Sequence, residues 1–196
     1  MEALRPGDRI DNFTIAAELH QGAMARIYRA RDHLSGRDYA LKIPFDNILE
    51  TPLIYYHFQN EERLAAELIH PHIVRFFTRT RSRPYSILEY VDGRDLRRHL
   101  NRSGPLPVAE VQRLGLQICS ALSYLHDRRI AHLDLKPENL MLNAGGDIRL
   151  IDFGLARRLN QGDPLGADFH MPRGTPAYAP PEICLLYTSD AADERG

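Results

Sequence analysis

The chain has 196 residues, 43% hydrophobic and 26% charged, with 25 basic side chains against 26 acidic ones and a formal net charge of -1. That balance suits one soluble globular domain with a sizeable core, and it argues against a disordered tail, a collagen-like repeat and bulk attraction to nucleic acid or anionic membrane. No stretch approaches the roughly 18 apolar residues of a membrane-spanning helix and residues 1–6 lack a signal-peptide pattern, so a cytoplasmic site without membrane contact is the default.

Residues 1–12 read as an N-terminal extension. Residues 13–19, 25–31 and 37–43 then alternate as short strands, broken by Gly22 and by the Ser35-Gly36 turn, and antiparallel hairpins are their simplest connection. Residues 56–69 turn helical, with Phe58, Ala65, Leu68 and Ile69 near one side and Glu61, Glu62 and Arg63 among them; His70-Pro71 ends the helix. Strand-like runs at 73–77 and 85–91 complete a five-stranded antiparallel sheet with one helix. After Asp92-Gly93 the character changes. Residues 95–101 suit a short helix and 107–127 a long one opened by proline, with Val111, Leu114, Ile118, Leu122 and Leu125 as its buried stripe. Runs at 140–142 and 148–151 about Gly145-Gly146 predict a small hairpin. The two cysteines, Cys119 and Cys184, fit no metal spacing and are read as ordinary core or surface residues.

The basic residues carry the first sharp signal, because 23 of the 25 are arginine and only Lys42 and Lys136 are lysine. A compact ammonium, rather than a planar fork, is wanted at those two positions. Lys136 lies in His132-Leu133-Asp134-Leu135-Lys136-Pro137-Glu138-Asn139, between the long helix and the hairpin, and Asp152-Phe153-Gly154 follows the hairpin. A carboxylate, a lysine two places on and a carboxamide five places on can orient a hydroxyl, neutralise a phosphoryl group and ligate a cation; the second aspartate adds an oxygen ligand for magnesium.

With these residues, and with Gly174-Thr175-Pro176-Ala177-Tyr178 downstream, the chain resembles the eukaryotic-like Ser/Thr protein kinases that also occur in bacteria. The resemblance implies an α+β, two-lobed fold, with residues 13–91 as the N-lobe and 92–183 as a mainly helical, incomplete C-lobe. It implies ATP and Mg2+ as cofactors and a protein substrate with a Ser or Thr acceptor, and no nucleic-acid partner. By the same matching Lys42 grips the nucleotide phosphates and Glu61 is its ion-pair partner, with Glu62 the adjacent alternative. Asp134 accepts the acceptor hydroxyl's proton, Lys136 steadies the transferred phosphoryl group, and Asn139 and Asp152 hold the metal. Ile27, Ala40 and Met141 sandwich the adenine, Leu19 and Gly22 join the nucleotide-binding set, and the backbone from Glu89 to Val91 meets the adenine edge. Leu88 becomes the gatekeeper, and His132 a structural residue of the cleft.

Four departures from the family pattern stand out. The phosphate-covering loop reads His20-Gln21-Gly22-Ala23-Met24-Ala25, keeping only the middle glycine, so weakened or altered nucleotide binding, rather than its abolition, is expected. Leu133 replaces the arginine that receives an activation-loop phosphate. Between Asp152 and Glu182 there is no serine and Thr175 is the only threonine, so control by phosphorylation of that loop is not expected. Pro180 takes an alanine's place in Ala179-Pro180-Pro181-Glu182. Residues 184–194 resemble the translation of a transposon-end sequencing adapter, and 184–196 are expected to be a non-native tail after a catalytic domain interrupted near Ile183; its continuation could carry a membrane anchor. The alternative from another class is a pseudokinase serving as a binding or scaffolding module. The eroded glycine loop favours it, while the retained polar residues argue against it.

Overall fold

The computed structural model describes residues 3–159 and 175–178. Its larger sheet is antiparallel throughout, in the order β1-β2-β3-β4-β6-β5, built from β1 (Arg9–Ile10), β2 (Phe13–Gln21), β3 (Ala25–Asp32), β4 (Asp38–Pro44), β5 (Phe76–Phe77) and β6 (Ser86–Glu89). The five expected strands are present, and β1 adds a sixth at the edge. It lies inside the segment read as an extension, because Asp11 at φ 49° and Asn12 turn the chain tightly enough to pair Ile10 with Phe13.

Period-two alternation decides what each sheet face does. On β4 Tyr39, Leu41 and Ile43 are buried on one face with Phe13, Tyr28 and Tyr85, where Phe13 meets Tyr39 and Tyr85 edge-on at 5.8 and 6.4 Å. Ala40 and Lys42 therefore occupy the opposite face. Directly paired residues share a face, so Ile27 and Ser86 flank Lys42 while Leu88 flanks Ala40.

After the short α1 (Asp46–Leu49), α2 (Pro52–Ala65) runs with proline in its first turn. It begins and ends about four residues earlier than the sequence pattern suggests. Leu68 is buried as expected, but Ile69 is 65% exposed, because it lies past the helix end with its amide donated to the Tyr124 hydroxyl at 2.9 Å. The segment that follows is stitched to the second half of the chain: Val74 N donates to Leu150 O at 2.9 Å and Leu150 N to His72 O at 2.8 Å.

The second half comprises β7 (Gly93–Asp95), α3 (Leu96–Ser103), α4 (Val108–Asp127), β8 (Ile130–Ala131), β9 (Leu140–Asn143), β10 (Ile148–Leu150) and β11 (Arg157–Arg158). Three short antiparallel strands line up as β10-β9-β7, and β8 pairs with β11. Asp95 caps α3 by accepting from Arg98 N at 2.8 Å. Leu114, Ala121 and Leu125 of α4 reach the core, with Ile118 and Leu122 partly buried against it. Val111 does not, being 54% exposed, and Val108 and Leu116 of the same helix are exposed as well. Among the described residues no helix is long and apolar enough to cross a membrane.

Candidate active site

Strand β4 aims Lys42 at helix α2, where inward positions Phe58, Glu61 and Ala65 recur at helical spacing. Lys42 Nζ donates to Glu61 Oε1 and Oε2 at 2.8 and 2.7 Å, and reaches Asp152 Oδ1 at 3.5 Å. Glu62 has a different task, receiving Arg81 at 2.8 Å and the Ser86 hydroxyl at 3.1 Å, so the structure assigns the pairing to Glu61. Burial opposes the Lys42 charge, but the Glu61 and Asp152 carboxylates outweigh it and hold the ammonium above the ordinary lysine range. Burial chiefly raises the Glu61 carboxyl; the Lys42 ammonium opposes that and the Asp152 charge adds to it.

Asp152 follows β10 with a left-handed backbone, φ 62°. Its position is fixed by its neighbour Phe153, which is 1% exposed and meets Phe76 at 6.5 Å and His132 at 5.1 Å, edge to face. Gly154 explains itself: a Cβ there would stand 3.3 Å from Asp152 Oδ1 and 3.8 Å from Glu61 Oε2, crowding the carboxylates that Lys42 gathers.

The loop after β8 holds the second cluster. His132 is buried, its Nε2 facing Ile151 O at 3.2 Å and its Nδ1 accepting from Asp134 N at 3.3 Å. Burial lowers its proton affinity, which the carbonyl of Ile151 only partly offsets, so the ring is neutral and structural as expected. Leu133 sits at φ 62° with its side chain 45% exposed. Asp134 Oδ1 accepts from the Thr175 hydroxyl at 2.9 Å, and Oδ2 from Asn139 Nδ2 at 2.9 Å and from Lys136 at 2.7 Å. Lys136 also donates to Thr175 Oγ1 at 2.8 Å. Burial would raise the Asp134 carboxyl, but the bonds from Lys136 and Thr175 win and hold it below the ordinary aspartate range. The two clusters are locked together, since Ile151 N donates to Asn139 O at 2.9 Å while His132 faces Ile151 O.

The remaining predicted positions divide. Ile27 and Ala40, both partly buried, lie on the Lys42 face of the sheet, and Met141 lies on β9 opposite Asp95 and Arg149. Glu89 ends β6, its amide donated to Arg75 O at 2.8 Å and its carboxylate near Arg149 at 3.3 Å; Tyr90 and Val91 continue without strand pairing toward β7. Leu19 is 39% exposed at an irregularity in the β2–β3 register, and Gly22 closes that hairpin by donating to Ala25 O at 2.9 Å. Residues 160–174 and 179–196, with Pro180, Glu182, Cys184 and the adapter-like tail, lie outside the described residues.

One residue was missed. A Cβ on Gly93 would lie 2.0 Å from Leu142 O, so only glycine lets β7 close on β9 beneath this cleft. Asp92-Gly93 was legible as a boundary, but the close approach has no local signature.

A sequence model of the protein kinase domain matches residues 13–194. The chain is 37% identical over 177 residues to CBL-interacting serine/threonine-protein kinase 19 of Arabidopsis thaliana, covering 89% of this chain and 36% of that protein. It is 34% identical over 155 residues to the serine/threonine-protein kinase PknB of Mycobacterium leprae, covering 76% and 25%. With PknB of Mycobacterium tuberculosis it shares 31% over 195 residues, covering 96% and 31%. The chain thus spans between a quarter and just over a third of the curated relatives it matches.

Proposed function

The chain belongs to the protein kinase domain family, and from that premise we propose that it transfers the γ-phosphate of ATP to Ser or Thr hydroxyls of protein substrates in the cytoplasm. The observation that carries this reading is the placement of the only two lysines. Each lies 2.7 Å from a carboxylate, and the clusters they organise are tied through Ile151.

In this reading Lys42, oriented by Glu61, binds the α and β phosphates, and the partly buried face formed by Ile27, Ala40 and Leu88, with Leu19 and Met141, accepts the adenine. The backbone from Glu89 to Val91 meets its edge. Asp152, with its side chain 45% exposed, and Asn139 offer hard oxygen donors that suit Mg2+, whose other ligands would be phosphate oxygens and water. Bound there, the metal neutralises charge on the phosphates.

Asp134 keeps lone pairs beyond those that Thr175, Asn139 and Lys136 occupy, so it can accept the acceptor hydroxyl and aim its oxygen. Its lowered proton affinity makes it a weak base, which suits a proton that leaves only as the new O–P bond forms. Lys136 offsets charge on the group in transit. The retained polar set disfavours the pseudokinase alternative.

Calorimetry and radiolabel transfer test this together. Magnesium-dependent ATP affinity and label transfer to a generic protein acceptor are expected; absence of magnesium-dependent affinity would withdraw the phosphate-handling roles.

A further inference from the structure

We propose that the mouth of this site selects acceptors flanked by acidic residues, with Arg97 as the specificity-determining side chain; this rests on the kinase reading above.

The exposed groups joined to Asp134 through its hydrogen-bond network define that mouth. Thr175, bonded to Asp134, turns back so that Tyr178 N donates to Thr175 O at 2.8 Å. The Tyr178 hydroxyl in turn accepts from Arg97 Nη2. Arg97 Nε donates to Glu138 Oε1 at 3.0 Å, and Glu138 stands on the short helical turn Pro137–Asn139 that closes the Asp134 loop. One guanidinium on α3 therefore joins three walls of the entrance: its own helix, the turn after Asp134, and the Thr175–Tyr178 segment.

Charge at this rim is lopsided. Glu138 is the only carboxylate besides Asp134 in residues 133–143, and Arg97 already engages it. That contact is the main reason its carboxyl lies below the ordinary glutamate range. Asp95 is likewise spent, capping α3 and pairing with Arg98 at 3.2 Å. Arg94 and Arg102 are exposed beside them, and among the described residues neither has an ion-pair partner. A basic flank on an incoming peptide meets an occupied Glu138 and a repelling guanidinium. An acidic flank meets the part of the Arg97 guanidinium that lies beyond its bonds to Glu138 and Tyr178, with further cations at Arg94 on β7 and Arg102 on α3. The pair is exposed, with side chains 39% and 43% accessible, so each charge is expected to count for a modest ~3–10-fold.

The test compares one serine peptide with variants carrying Glu, Gln or Arg singly at positions flanking the serine. Glu-flanked peptides are expected to have KM values ~3–10-fold below the Gln peptides and Arg-flanked ones higher, with kcat little changed and the spread shrinking in high salt. Arg97→Gln collapses the spread whatever its effect on kcat, Arg97→Lys, which keeps the charge, retains part of it, and Glu138→Gln keeps or widens it. Arg94→Gln combined with Arg102→Gln narrows it without touching the Glu138 pair. Preference for Arg-flanked peptides, or a spread that survives Arg97→Gln, overturns the proposal. If no peptide is phosphorylated, the kinase reading fails instead; fluorescence-anisotropy affinities of the same peptides then decide the charge preference, and any order other than Glu above Gln above Arg refutes it.

Discussion

Lys42 reaches its carboxylate from a seven-residue strand, and that carboxylate stands on a fourteen-residue helix. Lys136 reaches Asp134 from within a loop, and both depend on Thr175, a residue about 40 positions further along the chain. Glu61 is 4% exposed, whereas Leu133 and Leu135 beside Asp134 are 45% and 37% exposed. The Lys42 end, the nucleotide end in the proposed reading, thus inherits its geometry from regular elements with aromatic packing behind them. The Asp134 end, the acceptor end in that reading, is assembled from loop segments and held by side-chain hydrogen bonds. Damage to the first should appear as lost stability and lost nucleotide affinity; damage to the second should appear as lost rate.

The largest expected effect tests the acceptor end. Asp134→Asn keeps the size of the side chain but removes the proton acceptor, and should lower turnover by about 10²–10⁴-fold in a phosphoryl-transfer assay. Nucleotide affinity should stay close to wild type, while loss of the charged bond to Lys136 should lower the melting temperature modestly. Because hydrogen bonds from Lys136 and Thr175 hold the Asp134 carboxyl down, the wild-type rate should persist on acidification through the ordinary aspartate value of 3.8, provided the fold survives. The sign is fixed by direction: a depressed folded-state value keeps the group ionised, with its stabilising bonds, until the pH falls through that lower value.

Next in size, Lys42→Met should break the other end. It strands a buried carboxylate and should cost about 3 kcal/mol in denaturant unfolding, with nucleotide affinity lost as well. Adding Glu61→Leu should restore much of that stability but none of the affinity. If Lys42→Met left stability untouched, the contrast between the two ends would be wrong.

The smallest effect concerns Leu133. Its side chain is exposed and its backbone already left-handed, so Leu133→Arg should change stability by no more than about 0.5 kcal/mol. Activity, and its independence of prior autophosphorylation, should not change; a large gain in either would show that a phosphate switch had been restored.

Much of this was readable along the chain. Gly22 and Ser35-Gly36 marked the hairpins and residues 37–43 were legible as a strand, while burial of Tyr39, Leu41 and Ile43 is what shows that Lys42 takes the other face. Helix ends were read less well. Ile69 fits a helical stripe, but the helix stops at Ala65 and Ile69 ends in solvent; Val111 fits the α4 stripe, but is 54% exposed. Periodicity marks apolar positions without stating whether a partner surface reaches them. Glu61 was the expected partner with Glu62 the adjacent alternative, and the structure separates them because Arg81 and Ser86 claim Glu62.

Residue types, order and spacing determined by themselves the family and singled out the two lysines, because chemistry on phosphate admits few side chains at those positions. The tertiary structure decided which glutamate pairs with Lys42, why position 93 must be glycine, and that Arg97 has taken Glu138. Each depends on distances between segments remote in sequence, and local pattern fixes the direction of a side chain but not what comes to meet it.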